Sequence, residues 1–195
     1  MPYPLSPIRR LETGNAPPPR LFAGKEMLAG PPILQRVALL LLGAVLASSA
    51  LAAKPGEAAP AFDLTGANGE RVALAALRGH VVYVDFLASW CAPCRRSFPW
   101  MNALAARYKD EGFTVVGINV DKRREDAERF LRDTPAAFTV AYDADGSTPA
   151  AYAVAGMPSS YLVDRNGVVV DVEEGFHEGR RGDIEARIRA ALAQR

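Results

Sequence analysis

Along residues 61–195 the apolar positions alternate between short continuous runs and helical spacing, which predicts strands interleaved with helices. Phe62-Asp63-Leu64-Thr65 and Arg71-Val72-Ala73-Leu74 flank Asn68-Gly69, the signal of a tight hairpin. Val81 to Leu87 is apolar throughout except for Asp85, the pattern of a central strand covered on both faces. Phe98, Met101, Leu104, Ala105 and Tyr108 then recur at helical spacing. Phe113 to Val120 reads as a second buried strand and Phe138 to Tyr142 as a third. Between them Ala127, Phe130 and Leu131 mark a helix with a charged outer face. Thr148 to Val154 predicts a short helix with Pro149 in its first turn. Ser160 to Val163 and Val168 to Val172 flank Asp164-Arg165-Asn166-Gly167, a second hairpin. Ile184, Ile188 and Leu192 give a closing amphipathic helix. The sum is an α/β domain with a mixed sheet flanked by helices and opened by a β-hairpin.

The first part of the chain lacks this patterning. Residues 1–36 are rich in Pro and Gly and predict no fold. From Val37 to Ala47 the chain is strongly apolar, preceded by Lys25 and Arg36 and followed by small residues that include Ala50-Leu51-Ala52. A basic flank, a short apolar core and a small-residue exit make a secretory signal. The apolar run is eleven residues, and spanning a bilayer takes about 20. An uncleaved anchor facing the periplasm is the rival reading. Met27 is an alternative start, which would leave residues 1–26 outside the true chain. The expected organisation is therefore an extension and signal over 1–52, a linker over 53–60 and one folded domain over 61–195. The expected location is the periplasm or another extracytoplasmic space.

Charge narrows the partners. The whole chain has a formal net charge of +1, and residues 53–195 carry 18 basic and 20 acidic side chains. No nucleic-acid partner follows from that balance. The cysteines number 2 and lie three positions apart, which excludes a multiply stapled mini-domain.

Cys91-Ala92-Pro93-Cys94 falls just after the buried strand and just before the long helix. The first sulfur of such a C-x-x-C sits at a helix N-terminus, where unpaired N–H groups and the dipole favour a thiolate. Thiolate is the attacking species in disulfide exchange. Cys91 is expected as nucleophile and Cys94, inside the first turn, as the resolving thiol. Pro93 stiffens the intervening loop, and Arg95 and Arg96 are expected to add positive charge nearby. A carboxylate inside an apolar strand is costly unless paired or protonated, so Asp85 is expected to titrate high and serve as general base. Pro158, just before a buried strand, lacks the N–H of a ladder member and fits a cis proline opposite the cysteines. It would leave the backbone of Met157 free for a client peptide.

These residues resemble the thioredoxin superfamily, and more narrowly its exported TlpA/ResA-type thiol–disulfide oxidoreductases. The motifs are Phe86-Leu87-Ala88-Ser89-Trp90-Cys91-Ala92-Pro93-Cys94, Phe98-Pro99-Trp100-Met101, Gly117-Ile118-Asn119-Val120-Asp121 and Gly156-Met157-Pro158. The resemblance runs from about Pro60 to the C-terminus. It implies a thioredoxin-like sheet with an added helix and strand over Arg123 to Tyr142, Cys91 as attacking thiol, Cys94 as resolving thiol and a cis Pro158. Trp90, Pro93 and Met157 are expected to meet the client. It further implies protein thiol or disulfide clients, a membrane electron-donor protein, no cofactor and a monomer, with cytochrome c maturation one common role. Leu87 departs from the Trp or other aromatic usual in the family. Asp85 is like the buried acid of thioredoxin itself, where many exported relatives carry Asn.

Four rivals are weaker on the residues. A zinc site needs two ligands beyond the cysteines, and His80 and His177 stand far from ligand spacing. A peroxidase of the peroxiredoxin group needs a Thr where Ala88 stands. A static bridge across two residues closes too short a loop to stabilise much. A non-catalytic binding module would have no use for both cysteines. On the same scaffold, a disulfide-forming oxidase is the alternative direction of the chemistry.

Overall fold

The computed structural model describes residues 53–194. Seven strands form one mixed sheet: β1 (Asp63–Gly66), β2 (Arg71–Ala73), β3 (Val81–Leu87), β4 (Phe113–Asn119), β5 (Thr139–Tyr142), β6 (Ser159–Val163) and β7 (Val169–Glu174). Their spatial order is β2-β1-β5-β4-β3-β6-β7. The helices are α1 (Ala92–Tyr108), α2 (Arg124–Asp133), α3 (Ser147–Ala151) and α4 (Arg181–Ala193). β3, β4 and β5 run parallel, while the hairpins β1–β2 and β6–β7 join the sheet antiparallel. This is the thioredoxin-like arrangement expected, with α2 and β5 as the central addition.

Alternation along β3 explains the two cores. Val81, Tyr83 and Leu87 face one side and pack with Cys94, Phe98, Met101 and Leu104 of α1, Phe130 of α2, and Ile184 and Ile188 of α4. Val82, Val84 and Phe86 face the other and pack with Phe62, Val116, Ile118, Tyr152 and Tyr161. All seven β3 residues are buried, as the continuous apolar run predicts. Asp85 shares the face of Tyr83 and Leu87, so its carboxyl belongs to the layer that holds the cysteines.

Two elements differ from expectation. Residues 53–60, read as a linker, run along the β6–β7 hairpin. Gly56 N–H donates to the Val169 carbonyl at 2.8 Å, Val169 N–H to Glu57 at 2.9 Å, and Ala58 bridges Val168. Their Pro, Gly and Ala residues carry no periodicity, but their backbone satisfies the edge of β7. The short helix ends at Ala151 rather than Val154, because Ala153 takes a left-handed φ of 55° that no α-helix continues. The signal over residues 1–52 and the alternative start Met27 lie outside the described residues. Among the described residues no helix is long and apolar enough to cross a membrane.

Candidate active site

β3 delivers the chain to the loop Ala88-Ser89-Trp90, and Cys91 caps α1. Its backbone is extended (φ −85°, ψ 96°), and its Sγ accepts the Cys94 N–H at 3.2 Å. A sulfur in that place receives one of the orphan donors of the helix start, an arrangement that favours its anionic form. Pro93 lies in the first turn, where its missing N–H costs nothing. The two cysteines are joined as a disulfide with Cα atoms 5.3 Å apart. Cys91 is 3% exposed and Cys94 0%. Both sulfurs are therefore covered in the oxidised state. Trp90 beside it is 69% exposed.

An acid sets the loop. Asp121, two residues past the end of β4, accepts Ser89 N–H and Ser89 O–H at 2.8 Å each, and Asn119 Nδ2 at 2.8 Å. Asp121 N–H returns a bond to Asn119 Oδ1 at 3.0 Å. The Asn119-Val120-Asp121 motif is thus the clasp that fixes the residues just before Cys91. The positive charge expected of Arg95 is partly spent on the loop. Its guanidinium lies 4.8 Å over the Phe130 ring and donates to the Ser89 carbonyl at 3.4 Å. Arg96 is exposed.

Met157–Pro158 is a cis peptide bond, and the Pro158 carbonyl accepts Gly175 N–H at 2.8 Å. Ser159, the next residue, pairs with Phe86. The cis proline therefore lies at the same end of the sheet as the loop before Cys91. Half-buried Met157 packs against the cluster that contains both cysteines.

Asp85 is 1% exposed. Burial pushes its carboxyl up to about 7, opposed by a hydrogen bond from Ser160 Oγ at 3.1 Å. Its second oxygen, Oδ2, is buried without a partner. Burial, then the neighbouring Asp85 charge, also raises the Tyr83 phenol. On β4 the register neighbour of Asp85 is Gly117. A β-carbon there would lie 2.8 Å from Leu87 Cδ2 and 3.1 Å from Phe138 Cε2. Leu87, the departure from the family's aromatic, is the side chain that fills that space. Ser160 and the clasp were not assigned by sequence reasoning. The clasp's motif was visible in the sequence without its role, whereas Ser160 emerges only from strand register.

Comparison with known proteins agrees with this geometry. The redoxin family model matches residues 54–188. This chain belongs to the redoxin family. Within it, the chain is similar to the thiol-disulfide oxidoreductase ResA of Bacillus subtilis, 33% identical over 120 residues, covering 62% of this chain and 67% of the relative. It is similar to the ResA of Geobacillus thermodenitrificans at 30% over 151 residues, covering 73% and 87%. Among solved structures, a Chlorobium tepidum protein named as a thiol:disulfide interchange protein, DsbE, matches with a TM-score of 0.70 and 50% identity. That match covers 72% of this chain and 99% of the other. The redoxin is thus a TlpA/ResA-type member of the thioredoxin superfamily and a thiol–disulfide oxidoreductase.

Proposed function

We propose that this redoxin reduces disulfides in exported client proteins outside the cytoplasm, by a cycle in which Cys91 attacks and Cys94 resolves. The observation that carries the cycle is a C-x-x-C pair at a helix tip, with its inner sulfur fully buried in the layer shared with a buried acid. In the reduced enzyme the Cys91 thiolate attacks one client sulfur. The client disulfide breaks, and its other sulfur leaves as a thiolate that takes a proton from solvent. Cys94 then gives its thiol proton to the Asp85 carboxylate and attacks the Cys91 sulfur. The bond from Cys91 to the client breaks, and the second client sulfur leaves reduced. The enzyme ends as the disulfide, two electrons poorer, so a reductant must reload it. A membrane electron-donor protein suits that need outside the cytoplasm. Trp90, Pro93 and Met157 border the cysteines and are assigned to the client, with the backbone freed by cis Pro158 pairing its peptide. The apolar run before Ala53 supports export, and assembly of c-type cytochromes is one setting in which such a reductase works.

The reduction potential of the pair tests the direction. A value near about −270 mV fits a reductase, and one near about −120 mV assigns the opposite flow. Cys94→Ser tests the roles: it should hold clients as mixed disulfides through Cys91, whereas Cys91→Ser should hold none.

A further inference from the structure

One side chain at the site has no part in the cycle. β6 consists of five buried residues, two of them serines with different tasks. Ser159 Oγ donates to the Gly156 carbonyl at 2.8 Å and fixes the turn that carries the cis proline. Ser160 points to the opposite face, is directly opposed to Asp85, and donates to Asp85 Oδ1 at 3.1 Å. It is the only side-chain hydrogen bond Asp85 receives among the described residues, and Ser160 is itself 5% exposed.

No other side chain donates to Asp85 among the described residues. Gly117 opposes Asp85 on β4 and brings no side chain. On its own strand Asp85 has the buried Tyr83 phenol, which shares the Ser160 hydroxyl with it. Glu173 opposes Ser160 on β7 and is held by Arg180 at 2.9 Å; Asp171, two residues earlier, is held by Arg187 of α4. Those cations are engaged on β7, and no Lys or Arg pairs with Asp85 among the described residues. From α1 this layer holds Cys94, bonded to Cys91 in the disulfide, and Tyr108 at the far end of the helix. Remove the Ser160 hydroxyl and both Asp85 oxygens are buried without a donor, which favours the neutral acid.

We propose that Ser160 is a positioning residue that keeps Asp85 ionisable at neutral pH, so that the acid is free to take the Cys94 proton. The proposal rests on the reading of Asp85 as base, and the two are separable by experiment. Asp85 is titrated in the oxidised full chain by carbon NMR of labelled aspartate, with Asp85→Asn identifying its signal. Ser160→Ala should raise its midpoint by about one pH unit or more, about a tenfold lower ratio of carboxylate to neutral acid at a given pH. Ser160→Thr, which keeps the hydroxyl, should restore it, and Tyr83→Phe should move it far less than Ser160→Ala. In parallel, the release of thionitrobenzoate from its mixed disulfide with Cys91 is followed against pH. Its rising limb should move with the NMR midpoint. An unchanged midpoint in Ser160→Ala overturns the proposal, as does an equal shift in Tyr83→Phe. Ser160→Gly removes the same hydroxyl and replaces the alanine variant, with the same two outcomes, if that variant fails to fold. A midpoint that moves while the release limb stays fixed upholds Ser160 and refutes Asp85 as base.

Discussion

Replacing Asp85 with Asn should change the pH dependence of stability in a direction fixed by its burial. The carboxyl titrates at about 7 in the folded protein against 3.8 for an unburied aspartate. Between those values the folded state binds more protons than the unfolded one, so stability falls as pH rises. Below 3.8 the acid is neutral in both states and this penalty is absent; above about 7 it is fully present. A gap of roughly three units corresponds to about 4 kcal/mol. An amide at this position cannot ionise, so the variant escapes that loss while retaining an acceptor for Ser160. Urea unfolding of the oxidised protein and the variant, run from about pH 4.5 to about pH 8.5, isolates the effect because all other groups cancel in the difference. The variant should gain on the parent by about 3 kcal/mol across that range, most of it before the folded midpoint. Parallel stability curves for the two proteins would refute a buried, high-titrating acid. The same variant should resolve mixed disulfides about a hundredfold more slowly near neutral pH, the usual worth of a positioned base.

Other expectations follow from single contacts. Asp121→Ala removes the acceptor of three buried or half-buried donors. It should cost about 2–3 kcal/mol in urea unfolding and slow client attack by Cys91, with stability loss but unchanged attack arguing that the clasp does not set the loop. Ala153→Gly places the residue that tolerates φ 55° where alanine is strained. It should stabilise by about 0.5–1 kcal/mol, read as a rise in the urea midpoint at constant m-value.

Most of the architecture was legible because period and punctuation agreed. The run Val81 to Leu87, apolar but for Asp85, has the pattern of a strand covered on both faces, and Asn68-Gly69 marks its own turn. The C-x-x-C, the acid within the strand and the misplaced proline were legible for the same reason: each breaks the local rule of its element. What escaped depends on partners distant in the chain. Ser160 is an unremarkable strand residue until register sets it against Asp85, 75 positions away. Ser89 and Asp121 are 32 apart and meet only because β4 ends beside the loop that leaves β3. Residues 53–60 looked like a spacer because backbone pairing leaves no trace in side-chain pattern.

The vacant β-carbon at Gly117, occupied by the Leu87 methyl, binds two positions into one unit of variation. A side chain at 117 would make Leu87, and to a lesser degree Phe138, give way, and a smaller residue at 87 would ease that step. The effect of a substitution at either position should therefore depend on the residue at the other, which couples the two in the wall beside Asp85.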